Sequence, residues 1–352
     1  MMDQLLLNDK EVRSNLFPLT LTRSAADLRV GILTIREKWE AFLGKKIRLT
    51  SEVESGPGEA FIVSGNILPS RALIDSLVKS DGSYSDSPAW DTVRIVQYPW
   101  HIFLWNDWAI REDIGLVTKG KTPGPIPATV QTVNPENIFI EEGAVLSHCI
   151  INAAAGPVYI GRNAEIMEGA LVRGPAAICE GAVVKMGTRI YGATTIGPYC
   201  TVGGEIKNSV LLGYSNKAHD GYLGDSVIGE WCNLGAGTSN SNVKNNAAEV
   251  NAWSQAARGY IPAGLKCGII MGDYSRSAIN TSFNTGAVIG VCANVFGQGL
   301  TPAFIPSFTW GSQEKYAFDK ALIHIDNWKK MKNSRLSEKE KRQLKLIFEQ
   351  SL

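Results

Sequence analysis

The chain has no long apolar run. No stretch approaches the ~20 residues that a bilayer-spanning helix needs, so no membrane partner is expected. An excess of one charge is also missing, with 35 Lys and Arg against 34 Asp and Glu and a net charge of +1. No basic run precedes the C-terminal helical stretch, which argues against nucleic acid as the principal partner. Histidine is scarce: His101, His148, His219 and His324 show no zinc-ligand spacing, and no metal site is expected. The six cysteines lie far apart with no CxxC pair, a pattern that fits reduced thiols in a cytoplasmic protein. The opening MMDQLLLNDKEVR has three consecutive leucines before charged residues and does not read as a signal peptide. At 352 residues the chain is long enough for two cores.

One pattern dominates what is present. Ile160, Ile166, Val172, Ile178, Val184, Ile190, Ile196 and Val202 fall six residues apart, with glycines such as Gly161, Gly169, Gly181 and Gly197 between them. A period of six fits neither the 3.6 of a helix nor the 7 of a coiled coil. It fits a parallel β-helix, in which each short strand buries one aliphatic residue and small residues take the corners. Similarity to known hexapeptide-repeat proteins implies a left-handed coil.

Around that stretch the chain divides into four parts. Residues 1–118 read as a small α/β domain, with strands at 5–7, 46–50 and 61–63 and helices over 28–43, 70–78 and 105–116. Residues 119–132, rich in Pro, Gly and Lys, read as a linker. Residues 133–311 form the β-helix, and 312–352 a charged, periodic helical segment. Its apolar side is expected to pack either on the solenoid or on a neighbouring subunit. After Val202 the register slips, which suggests an insertion or a projecting loop. Residues 241–265 carry no period of six and read as an excursion.

The interior of a β-helix has few polar groups, so chemistry is expected where the register breaks. Between Gly203 and Asn246 stand Glu205, Lys207, Asn208, Lys217, His219, Asp220, Tyr222, Asn233 and Asn242, with Arg189 a coil earlier. Taken singly, most of these are what any solvated solenoid corner carries. His219 differs, because a group titrating near neutrality is what deprotonation of an amine requires.

The segments EIKN, SNKAHDGYLGDSVIGEWCNLGAG and SNSN resemble the acetyltransferase domain of the bacterial bifunctional N-acetylglucosamine-1-phosphate uridyltransferase/glucosamine-1-phosphate acetyltransferase. That resemblance places the family's catalytic histidine on His219 and its phosphate-binding Arg and Lys on Arg189 and Lys207. The sugar-contacting Tyr and Asn fall on Tyr222, Asn233 and Asn242, and the oxyanion-supporting amide on Ala236. Glu205 or Asp220 is then the group that orients the imidazole. The resemblance further implies acetyl-CoA as co-substrate, an amino-sugar phosphate (glucosamine 1-phosphate first) as acceptor, and a homotrimer. It implies contacts to the donor from the coils around 278–293, without assigning single residues. The phrases NLFPLTLTRSAADLRVGILTIREKWE, FNTGAVIGV and FIPSFTWG extend a similarity to GlmU-like sugar nucleotidyltransferase/acyltransferases over the whole length.

Two departures stand beside this. Residues 1–60 lack the glycine-rich LxAGxGTRM loop that holds nucleotide phosphates, so the N-terminal domain reads as a degenerate nucleotidyltransferase-like unit. Arg13, Arg23 and Arg29 remain as side chains for phosphate, and Mg²⁺ is expected only if that domain transfers nucleotides. The family's further phosphate-binding lysine has no counterpart, Lys244 being merely nearby. Alternative readings are therefore a sugar-1-phosphate nucleotidyltransferase and a non-catalytic β-helix that binds a sugar nucleotide.

Overall fold

The computed structural model describes residues 4–53, 60–79, 83–85, 88–311 and 314–351. Residues 1–3 of the leucine-bearing start, and 312–313 and 352 of the C-terminal segment, lie outside the described residues.

The six-residue register becomes a parallel β-solenoid of three sheets, with nine, ten and six strands. One coil takes 18 residues, as Val158 pairs with Ala176 and Ala176 with Thr194. All eight aliphatic residues of the register are at most 2% exposed and line a single core. Burial of each such side chain contributes roughly 1.5–3 kcal/mol.

The slip after Val202 is a shortening and not an insertion. Thr195 pairs with Val210 and Thr201 with Asn216, so this coil spans 15 residues and the following one, from Val210 to Val227, spans 17. Strand pairing continues without a gap, because the corners lose residues while the strands keep theirs. The excursion at 241–265 holds an antiparallel hairpin, Asn251–Ser254 with Gly259–Pro262, within a coil that runs from Val227 to Ile270.

In the N-terminal part, Leu5–Asn8 lies between Arg48–Leu49 and Phe61–Ser64 in a parallel sheet. Helices α1 (Ile35–Leu43), α2 (Arg71–Leu77), α3 (His101–Leu104) and α4 (Asn106–Val117) surround it. The first helix begins at residue 35 and not at 28. Thr34 caps it, accepting from Glu37 N while the Glu37 side chain accepts from Thr34 N. Upstream, Gly31 takes φ +79°, and a Cβ there would meet Asp113 Oδ2 at 2.6 Å.

This domain covers the nine-stranded sheet. Val210, Leu212, Val227, Ile270 and Val288 face outward into the same apolar cluster as Leu5, Leu7, Trp39 and Phe103. The strands of that sheet are therefore buried on both faces, as at Val158–Ile160. Asn106 ties the two parts, accepting from Gly31 N (2.7 Å) and donating to Ala193 O (2.8 Å). The stretch at 119–132 is docked: Gly124 N donates to Ile140 O, and Gln131–Val133 is already a solenoid strand.

Two helices close the chain, α5 (Phe318–Lys330) and α6 (Glu338–Gln350). Their apolar sides pack on this chain's own solenoid. Ile325, Leu344 and Ile347 cluster with Trp231, Tyr274 and Phe308, which sit at one corner between the nine- and ten-stranded sheets. Tyr199, Tyr214 and Trp231 stack along that corner at centroid distances of 5.2 and 4.4 Å. All six cysteines are free and buried.

Candidate functional site

The six-stranded sheet is clothed differently. Its strands alternate, as in Leu171–Arg173 and Arg189–Tyr191, with the middle residue buried and its neighbours reaching outward. Two outward rows result. Arg189, Glu205 and Tyr222 pair in successive strands, and so do Tyr191, Lys207 and Gly224. The first row borders the corner at 218–221, where His219 stands exposed. On the other side of that corner, Asn216 and Asn233 pair on the ten-stranded sheet. His219 thus lies between Asn233 on one face and the Arg189–Glu205–Tyr222 row on the next.

The local chain explains the shape of the corner. Gly203 and Gly204 occupy the coil beneath it; a Cβ on Gly203 would stand 2.5 Å from Ala218 O, and one on Gly204 2.8 Å from His219 O. Without side chains there, the His219 turn settles directly on the preceding coil. In the next coil Gly237 N donates to Asp220 O at 3.0 Å, which sets Ala236 above His219. The Ala236 N–H donates to no group among the described residues.

Hydrogen bonds organise the row. Tyr191 donates its hydroxyl to Glu205 Oε1 at 2.6 Å, and Arg189 Nη2 lies 3.6 Å from Glu205 Oε2. Glu205 is thereby committed to Tyr191 and Arg189, and the His219 side chain bonds to neither Glu205 nor Asp220. That hydrogen bond to Glu205, with some desolvation, raises the Tyr191 pKa. Asn242 donates to Tyr222 Oη at 3.1 Å and to Asp225, which also accepts from Asn208 at 2.7 Å. Burial, with Asp225 nearby, pushes the Tyr222 phenol up to about 12, so it remains a donor at neutral pH. Lys207 Nζ has no ion pair among the described residues.

Of the residues singled out in the sequence, Arg189, Glu205, Lys207, Tyr222 and Asn242 share one sheet or its edge. His219 and Ala236 share the corner, and Asn233 lies on the adjoining face. Lys217 belongs elsewhere. It pairs with Val202 and turns into the core, 2% exposed, donating to Gly203 O (3.1 Å) and to His219 O. Burial lowers its pKa to about 8, against a smaller opposing effect of Asp220. Lys244 donates to Glu249 O at 2.6 Å. Tyr191 and Asp225 escaped the sequence reading; the two-residue alternation after Arg189 would have placed Tyr191 on the same face.

The arginines offered for phosphate in the N-terminal domain are already engaged. Arg13 pairs with Asp9 (3.0 Å), Arg23 with Glu230 (2.6 Å) and Asp273, and Arg29 donates to Ile32 O. Among the described residues no three His, Cys, Asp or Glu side chains converge to hold a metal ion, and no helix is long and apolar enough to cross a membrane.

Residues 5–83 match the family model described as sugar nucleotidyl transferase. The chain resembles the GlmU-like transferases. It is 34% identical over 86 residues to the bifunctional protein GlmU of Methanocaldococcus jannaschii, a match covering 24% of this chain and 21% of that one. A bifunctional sugar-1-phosphate nucleotidylyltransferase/acetyltransferase of Sulfurisphaera tokodaii is 37% identical over 93 residues, covering 26% and 23%. The chain thus spans about a fifth of the length of these curated relatives. The solved structure of the polysialic-acid-specific acetyltransferase NeuO aligns over 51% of this chain and 79% of its own, at 12% identity and a TM-score of 0.19.

Proposed function

We propose that the chain is an acyl-CoA-dependent N-acetyltransferase acting on an amino-sugar phosphate, with glucosamine 1-phosphate the favoured acceptor. One observation carries this reading. His219 stands exposed at a corner flanked by Asn233 on one face and by Arg189, Tyr222 and Lys207 on the other.

In this reading Lys207 and Arg189 receive the sugar's phosphate through charge-assisted hydrogen bonds, and Tyr222, held by Asn242, donates a further one. Lys207 carries the larger share, because Glu205 already offsets part of the Arg189 charge. The clamp holds the amine beside His219 and makes the encounter with the thioester a positioned one. The amine nitrogen attacks the thioester carbonyl as His219 takes its proton. The C–S bond then breaks, and the imidazolium returns a proton to the departing thiolate. The free N–H of Ala236 stabilises the tetrahedral oxyanion, an effect of about 3 kcal/mol for one well-aimed donor. Glu205 acts on Arg189 and Tyr191 rather than on the imidazole. The exposed corner fits a homotrimer in which a neighbouring solenoid completes the groove, and use of acyl-CoA fits work in the cytoplasm.

The test is thiol release from acetyl-CoA with glucosamine 1-phosphate and a panel of amino-sugar phosphates, run beside His219→Ala. Release that needs both substrates and disappears in the variant supports the reading. No release with any acceptor would sink it.

A second reading has a specific observation behind it: residues 5–83 match the sugar nucleotidyl transferase model. Nucleotidyl transfer with Mg²⁺ would then occur in the N-terminal domain. The internal pairing of Arg13, Arg23 and Arg29 weighs against it. Pyrophosphate release from a nucleoside triphosphate and a sugar 1-phosphate would decide.

A further inference from the structure

Arg276 stands on the outward face of the ten-stranded sheet, paired with Asn233 on one side and Asn294 on the other. It is 8% exposed. Its Nε and Nη2 atoms are buried without an acceptor, and it has no ion pair among the described residues. Other enclosed arginines are neutralised: Arg23 by Glu230 and Asp273, Arg36 by Asp27 and Glu52. What Arg276 has instead is the Trp328 ring of α5 at 5.5 Å. A ring face offsets part of the charge but accepts none of the guanidinium's in-plane hydrogen bonds. Burial accordingly lowers the Arg276 pKa.

Among the described residues its surroundings add positive charge and no carboxylate partner. Lys320 of α5 lies over the Trp310 ring at 4.4 Å. His324, bonded to the Tyr316 hydroxyl, has its pKa lowered by desolvation and then by Arg276 and Lys320. Asn233 and Asn294 are half-buried, so the strip on both sides of Arg276 reaches solvent. A buried, unpaired guanidinium is costly, and an arriving anion removes that cost. Its planar donor fork matches phosphate.

We propose that Arg276 is the receptor for a phosphate group, bound where α5 meets the ten-stranded sheet, one strand beyond Asn233. Adjacent strands are about 4.8 Å apart, so the anion lies within a substrate's length of the His219 corner. The site stands on Arg276's own environment. That its phosphate belongs to a reactant rests on the acyltransferase reading above.

The experiment is calorimetric titration of wild type, Arg276→Gln and Arg276→Lys with acetyl-CoA, glucosamine 1-phosphate and inorganic phosphate in turn. A tenfold or greater loss of affinity in Arg276→Gln, partly restored in Arg276→Lys, supports the site, and the ligand affected identifies the phosphate's source. Inorganic phosphate bound through Arg276, with neither substrate bound, keeps the site and removes the acyltransferase reading. Undiminished binding of all three ligands in Arg276→Gln overturns the site and leaves that reading standing. A wild type that binds none of them overturns both. The melting temperature separates a structural role: Arg276→Gln should melt no lower than wild type without phosphate, and should lose the rise that phosphate gives wild type. A lower melting temperature with unchanged binding would assign Arg276 to packing on Trp328 alone.

Discussion

Lys217 Nζ, inside the solenoid, donates to the backbone carbonyl of His219 at the exposed corner. The lysine occupies a place in the inward row that Val202 holds in the coil below and Leu234 in the coil above. An interior ammonium thus fixes the chain on which the candidate base is mounted.

Lys217→Met should leave the apolar row intact and loosen the corner. Acetyl transfer is expected to fall at least tenfold, mostly in kcat, with the sugar-phosphate KM changed less. Steady-state kinetics on the two substrates would show this. An unchanged kcat would separate Lys217 from the work of the corner.

Stability should depend on pH through the same residue. The folded chain releases the Lys217 proton near pH 8, against 10.5 for an ordinary lysine. Between those values the unfolded chain binds more protons, so stability rises with pH; below about 8 the burial cost is complete. Urea midpoints of wild type minus those of Lys217→Met should climb from about pH 8 upward. A flat or falling difference contradicts the assignment.

His219 is exposed, and its side chain bonds to nothing among the described residues. His219→Ala should therefore melt within about 0.5 kcal/mol of wild type, as surface substitutions do, while transfer falls by roughly 10²–10⁴. Paired thermal melts and thiol-release assays give both numbers from one preparation.

Gly204→Val should reproduce much of the His219 loss without touching the imidazole. Gly204 has φ +74°, and its added Cβ would stand 2.8 Å from His219 O and from Gly221 O. The turn must lift, and activity should drop while the far coils keep their hydrogen-exchange protection.

Arg23→Met removes the cation that joins Glu230 and Asp273 and leaves the buried Asp273 carboxylate unpaired beside the half-buried Glu230. Breaking a buried pair in this way costs about 3–5 kcal/mol. Denaturant titration should register that loss at neutral pH. A loss below 1 kcal/mol would mean that water reaches the carboxylates.

The repeat was legible because each of its eight aliphatic positions answers to a local rule: one buried side chain per short strand. The same rule misled at Val202. A corner that loses residues and one that gains a loop both break the period, and only strand pairing tells them apart. Helix α1 is shorter than the apolar spacing predicts, since Leu28 ends a short 3-10 turn and Ile32 sits in a loop packed on α4. Lys217 read as a surface cation, because nothing in its neighbours says that a lysine has taken an inward place. The carboxylate partners of Arg23 are set by coils far along the chain, beyond what any local pattern carries. Of the candidate site, the polar residues were found, while their division between two faces and a corner required the register.

The bonds from Arg23 to Glu230 and Asp273 reach 207 and 250 residues forward. During synthesis at 5–20 residues per second, the ribosome needs on the order of ten seconds to a minute to cover that distance. Throughout that interval the N-terminal segment holds a cation with no carboxylate to receive it, and an apolar face whose cover has not been made. A domain that emerges before the solenoid is thus among the last to settle, and a nascent chain arrested before Asp273 should present it to chaperones still open.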